Sequence, residues 1–199
     1  MKRTFTVLII LAAMAAAAWA QAPQDGTEYF GGLHRQGSQN INLALGAGIP
    51  LFILPLDPAA TESRPLDIGA SFSLGYQYFL LNRFSIGGSL TGAFNTTVGG
   101  RTLFMAPLSF KTAYWMGVES LEFNIGAEAG LNIMRLSGNG VITPFAKVGG
   151  GAFVKVSEAW SVGGQLYWWL VPELHFGSES SLTRYGNFLE ISVGTVYHF

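Results

Sequence analysis

The chain has 199 residues and a formal charge of −1, set by 11 Lys and Arg against 12 Asp and Glu. Charged residues make up 12% of it, about half the share usual in soluble domains, while apolar types reach 49%, aromatics 14%, and glycine 26 positions. That balance excludes a disordered chain and a basic nucleic-acid binder. The absence of cysteine removes disulfides, thiolate metal sites and thiol nucleophiles together.

Residues 1–20, MKRTFTVLIILAAMAAAAWA, start on Lys2 and Arg3, run apolar, and close on the small-x-small site Ala18-Trp19-Ala20. The apolar run is short of the ~20 residues a spanning helix needs, and no basic stop-transfer cluster follows. It predicts a secretory leader cleaved before Gln21. Residues 21–39 read as a mobile polar tail, and residues 40–199 as one domain.

From there the recurring signal is alternation with a period of two, the mark of strands with two unlike faces. It marks Ile41–Ile49, Ile68–Tyr78, Phe84–Phe94, Leu103–Tyr114, Leu121–Met134, Thr143–Val156, Trp160–Val171 and Phe188–Phe199. In the fifth segment Leu121, Phe123, Ile125, Ala127, Ala129, Leu131 and Ile133 share one face. Glu122, Asn124, Gly126, Glu128, Gly130 and Asn132 share the other. Ile49–Leu56 (IPLFILPL) loses the alternation and is apolar on both faces. Tight connections (Leu80–Arg83, Trp115–Ser120, Ser157–Ala159) alternate with longer ones rich in Gly, Pro and Ser: Pro50–Asp67, Asn95–Thr102, Arg135–Ile142 and Pro172–Asn187. Short turns at one end and long loops at the other are the layout of an outer-membrane barrel. The expected fold is all-β: an eight-stranded antiparallel up-and-down transmembrane β-barrel, monomeric, with both termini periplasmic.

The faces distinguish a membrane barrel from a soluble one. One face of each strand carries essentially no charge, so it is the face expected to meet lipid; the small, hydroxylic and glycyl face lines the lumen. Aromatics near strand ends fit interfacial girdles: Tyr78, Phe84, Tyr114, Trp115, Trp160 and Tyr197 at the short-turn end, Phe94, Phe104 and Trp168 toward the other. An eight-stranded lumen leaves little room for side chains, which fits the glycine content.

The last strand reads ISVGTVYHF. Ser192, Gly194, Tyr197 and Phe199 form a polar-x-Gly-x-x-aromatic-x-aromatic pattern that resembles the C-terminal assembly signal of bacterial outer-membrane proteins. The resemblance implies the barrel-assembly machinery as a partner. Stretches such as LDIGASFSLGYQYF, FMAPLSFKTAYW and TPFAKVGGGAF are similar to the small eight-stranded outer-membrane group of OmpX, OmpW and the opacity proteins. Members of that group serve as adhesins, structural proteins or small-solute channels.

Parity places Lys111, Glu122, Glu128, Lys147, Lys155 and Glu190 on the inward face. Buried charges need partners, so these six predict a lumenal ion network, with Lys147 against Glu128 and Lys111 near Glu122. Inward positions nearer the long loops turn apolar: Leu103, Met105, Met134, Phe145, Tyr167, Trp169 and Val171. They form either the packed upper core of the barrel or a vestibule for a hydrophobic small molecule, as resemblance to OmpW-type barrels implies.

Catalysis by Ser, His and acid finds no pattern around His34, His175 or His198; His175 has Glu173, Ser178 and Glu179 nearby in a loop where such neighbours arise by chance. No metal-ligand spacing is present, and no cofactor, nucleic-acid partner or enzymatic activity is expected. The long loops carry Asp57, Glu62, Arg64, Arg101, Arg135, Glu173, Glu179 and Arg184. Two functions remain: porin-like transport of hydrophobic or very small solutes, or a structural or adhesive surface role in which loops meet a host or envelope ligand.

Overall fold

The computed structural model describes residues 34–55, 66–96, 100–118, 120–136, 139–175 and 177–199. The predicted leader, most of the predicted tail, and Asp57, Glu62 and Arg64 lie outside the described residues, as does the side chain of Glu179.

The strands are β1 (Gln39–Pro55), β2 (Gly69–Leu81), β3 (Phe84–Thr96), β4 (Thr102–Val118), β5 (Leu121–Leu136), β6 (Asn139–Lys155), β7 (Trp160–Glu173) and β8 (Arg184–His198). Each pairs antiparallel with its neighbours in sequence, and β1 pairs with β8 to close the barrel. All eight predicted strands are present. Burial follows the pleat: in β2, Ser71, Ser73, Gln77 and Phe79 are buried, while Phe72, Leu74, Tyr76 and Tyr78 are exposed on the outer wall. The outer wall is apolar because every second residue must stand outside a ring too narrow to hold both sets.

Several boundaries differ from the sequence reading: β5 runs to Leu136 and β6 starts at Asn139, so the segment expected as the loop Arg135–Ile142 is mostly strand. β1 runs on to Pro55, through a register shift between Pro50 and Phe52 that accounts for the lost alternation. Beyond Gly48 it stays paired with β8, whereas the register with β2 stops at Gly48 and Gly69. β4 continues to Val118, so Trp115 shares the inward face of Lys111 and Ala113 and is buried; it is not part of the girdle. The Pro172–Asn187 segment contains a short 3-10 helix (Gly177–Leu182) and the start of β8. Tyr78, Trp160 and Tyr197 at one end and Phe94 and Trp168 toward the other stand outward as predicted.

The inward glycines answer to backbone more than to lumenal side chains. A Cβ on Gly87 would fall 1.8 Å from the carbonyl oxygen of Tyr76 on β2, whereas on the outward Gly88 the nearest atom would be 3.5 Å away. Strands coiled this tightly lean their carbonyls into the inner face, and only glycine leaves room for them.

Candidate functional site

The lumen is filled in three layers. The middle one is ionic. Lys111 and Glu128 are direct partners across β4 and β5, and Glu128 and Lys147 across β5 and β6. Lys111 Nζ lies 3.3 Å and Lys147 Nζ 3.5 Å from Glu128 Oε1, and Lys147 also reaches Glu190 Oε2 at 3.4 Å. The other oxygen of Glu128 accepts from Ser89 and from Ser109 at 2.8 Å, while Glu190 accepts from the Trp169 indole at 2.8 Å. The Lys147 ammonium also lies over the rings of Tyr167 and Trp169. Two lysines and two glutamates thus balance in charge, and their hydroxyl and indole donors supply the extra hydrogen bonds a buried ion pair requires.

The predicted Lys147–Glu128 pair is present. The predicted Lys111–Glu122 pair is not, because the β4–β5 register sets Lys111 opposite Glu128 and sets Glu122 opposite Gly117. Lys155 is half-buried at the lower end of β6, and no ion pair of it is seen among the described residues.

Above this layer Leu103, Met105, Phe145, Tyr167, Trp169 and Val171 join Ala93 and Phe188 in one buried cluster, with Met134 partly buried against it. All seven residues of the predicted apolar group are therefore together. Phe145 meets Trp169 edge-on with centroids 5.2 Å apart. A cavity bordered by Met105, Trp169, Phe188 and Glu190 has a volume of about 10 Å³, room for about one water molecule. The interior here is packed.

The lowest layer was not foreseen. Phe79, Ala113, Trp115, Phe153 and Val196 form a second buried cluster. Glu122 sits within this floor, 3.3 Å from His34 Nε2 and 3.4 Å from His198 Nε2, and accepts from Ser161 Oγ at 2.6 Å. His34 belongs to the predicted tail, yet it is 6% exposed. A lone histidine in a polar segment gives no sign of this, because the site it fills is made by distant strands. Ser161 Oγ and Glu122 Oε2 both meet His198 at the same nitrogen, Nε2, so this is not a relay through both imidazole nitrogens of the kind acyl transfer uses. In the loop layer, His175 Nε2 lies 3.2 Å from Glu173 Oε1.

On β8, Ser192 and Gly194 face inward opposite Gly46 and Ala44, while Tyr197 and Phe199 stand outward with stacked rings 5.7 Å apart.

A protein-family model matches residues 21–197. An uncharacterized protein of Treponema pallidum (strain Nichols) is 26% identical over 174 residues, which cover 83% of this chain and 78% of the relative. Among solved structures, the fold is similar to Neisserial surface protein A, with a TM-score of 0.61 at 14% identity over 82% of this chain and 98% of that one. It is also similar to the outer membrane protein OprG from Pseudomonas aeruginosa, with a TM-score of 0.52 at 10% identity over 83% of this chain and 97% of that one. With its closed eight-strand register and apolar outer wall, the chain has the fold of the small eight-stranded outer-membrane β-barrels.

Proposed function

We propose that this protein is a non-enzymatic surface protein of the outer membrane, with its barrel serving as an anchor that presents the long loops. The observation that carries this reading is the filled lumen: the layer of Lys111, Glu128, Lys147 and Glu190 lies between two aromatic clusters. A solute crossing it must separate buried ion pairs, which costs several kcal/mol. The leader predicted at residues 1–20 and the β8 pattern of Ser192, Gly194, Tyr197 and Phe199 support export and delivery by the barrel-assembly machinery. Binding then falls to the loops, where exposed polar groups and irregular backbone concentrate.

A second reading, transport of hydrophobic or very small solutes, draws support from the apolar cluster beneath the loops. Planar-bilayer recording and liposome flux on the refolded protein separate the two. The anchor reading expects neither discrete conductance nor flux of hydrophobic or polar solutes. Steady flux that falls on Trp169→Ala or Met105→Ala would establish transport instead.

A further inference from the structure

The approach to β1 is built into the floor of the barrel. Arg83 N donates to His34 O at 2.8 Å; Gly37 N donates to Phe79 O, and Phe79 N to Ser38 O, each at 2.9 Å. Gln36 N donates to Asn82 Oδ1 at 3.0 Å. Arg83 has φ +68°, a left-handed conformation that disfavours a side chain. It is held there from both sides, because its carbonyl also accepts from Trp115 N at 2.7 Å. The short segment 34–38 thus grips the β2–β3 turn and, through it, β4.

Its tip is the His34 ring. The ring stacks on Trp115 with centroids 4.9 Å apart, packs on Phe79 at 5.2 Å, and meets His198 at 5.5 Å. Among the described residues, the charged and titratable groups facing it include Glu122 from β5, His198 from β8 and Lys155 from β6. From β2 and β4 come Phe79 and Trp115, and Ser161 of β7 reaches Glu122 and His198. We propose that residues 34–38 form a latch across the short-turn mouth of the barrel that opens on acidification, with the His34 ring, wedged between Trp115 and Glu122, as its closing element.

Burial pushes the His34 imidazole below its ordinary value of 6.5, with His198 and Lys155 acting in the same direction and Glu122 against them. Outside the floor an imidazolium is hydrated. The closed latch therefore binds fewer protons than the open one, and closure weakens as pH falls below 6.5, continuing until the closed-state value is passed. His198 cannot leave in the same way, because it lies within β8, with its amide bonded to the Ala159 carbonyl. His34 sits on a five-residue segment outside the strands, so it is the group that moves.

The test uses the refolded protein in lipid nanodiscs with 15N-labelled tryptophan indoles. The Trp115 Nε1–H signal is assigned through Trp115→Phe, and hydrogen exchange at the Arg83 amide is corrected for its intrinsic pH dependence. Both are followed from pH 8 to pH 4.5. The latch predicts that Arg83 protection falls about tenfold per pH unit once His34 begins to take up its proton, with a matching displacement of the Trp115 signal. His34→Phe, which keeps a ring in the floor without a titrating group, should abolish both changes, and His34→Ala should show the open state throughout. Barrel integrity is verified for each variant by heat-dependent gel migration, and His34→Gln replaces any variant that fails to fold. A wild type whose two signals ignore pH, or an unchanged titration in His34→Phe or His34→Gln, overturns the proposal.

Discussion

Glu128 and Lys111 face each other directly across β4 and β5, and the same carboxylate oxygen that Lys111 approaches also faces Lys147 from β6. One glutamate therefore bridges ammonium groups from both neighbouring strands, and Glu190 supplies the second negative charge through Lys147. Glu128→Gln should leave Lys111 without its buried counterion and destabilise the barrel by about 3–5 kcal/mol. Adding Lys111→Met, which removes the stranded charge, should recover much of that loss. Urea unfolding in lipid vesicles, read by tryptophan fluorescence, measures both; equal stability of Glu128→Gln and wild type would contradict the arrangement.

Leu131 and Asn132 are adjacent on β5 but point to opposite sides, Leu131 59% exposed on the outer wall and Asn132 fully buried. Leu131→Arg puts a charge into hydrocarbon and should cost about 2–4 kcal/mol near the midplane. Asn132→Arg avoids lipid and crowds the lumen instead. The two should diverge when bilayer thickness is varied, with only Leu131→Arg responding.

Trp169 joins two layers: its indole donates to Glu190 while its ring packs on Phe145. Trp169→Ala should lose about 3–5 kcal/mol. Trp169→Phe should recover most of the packing while leaving Glu190 one donor short, so its remaining deficit from wild type in vesicle unfolding reports the indole hydrogen bond at about 1.5–3 kcal/mol.

Gly87 and Gly88 offer a test of the coiled inner face. Gly87→Ala drives a methyl into the Tyr76 carbonyl and should destabilise by about 1–3 kcal/mol. Gly88→Ala, outward with its nearest atom at 3.5 Å, should be within about 1 kcal/mol of wild type. Equal thermal-unfolding midpoints for the two variants would show that the strand backbones move apart more freely than the Tyr76 contact suggests.

Alternation makes the eight strands and their two faces legible, because a period of two is written into every strand that separates lipid from lumen. It also places the apolar cluster, since Phe145, Trp169 and Val171 sit on the same parity as the ions below them. Register is harder. Taking Trp115–Ser120 as a connection ends β4 too early, which turns Trp115 outward and moves Lys111 away from Glu128. β4 in fact runs to Val118 and β5 begins at Leu121, and alternation says nothing about where a pleated strand stops. His34 was illegible for a different reason: its burial is decided by Trp115, Phe79 and Glu122, which lie far away in sequence and meet only once the barrel has closed.

That closure falls on the two strands farthest apart in the chain. Gln39 and Phe199 exchange backbone hydrogen bonds at 2.9 and 3.0 Å, and the ladder continues from Asn40 and His198 up to Pro55 and Arg184. The seven hairpin pairings join strands adjacent in sequence and can zip up as each appears, whereas the seam must wait for β8 and bears the largest loop-closure entropy. Until then β1 and β8 are both bare edges, open to pairing with any other strand. The pairing of β8 with β1 thus sets the moment at which this molecule stops being a template for aggregation.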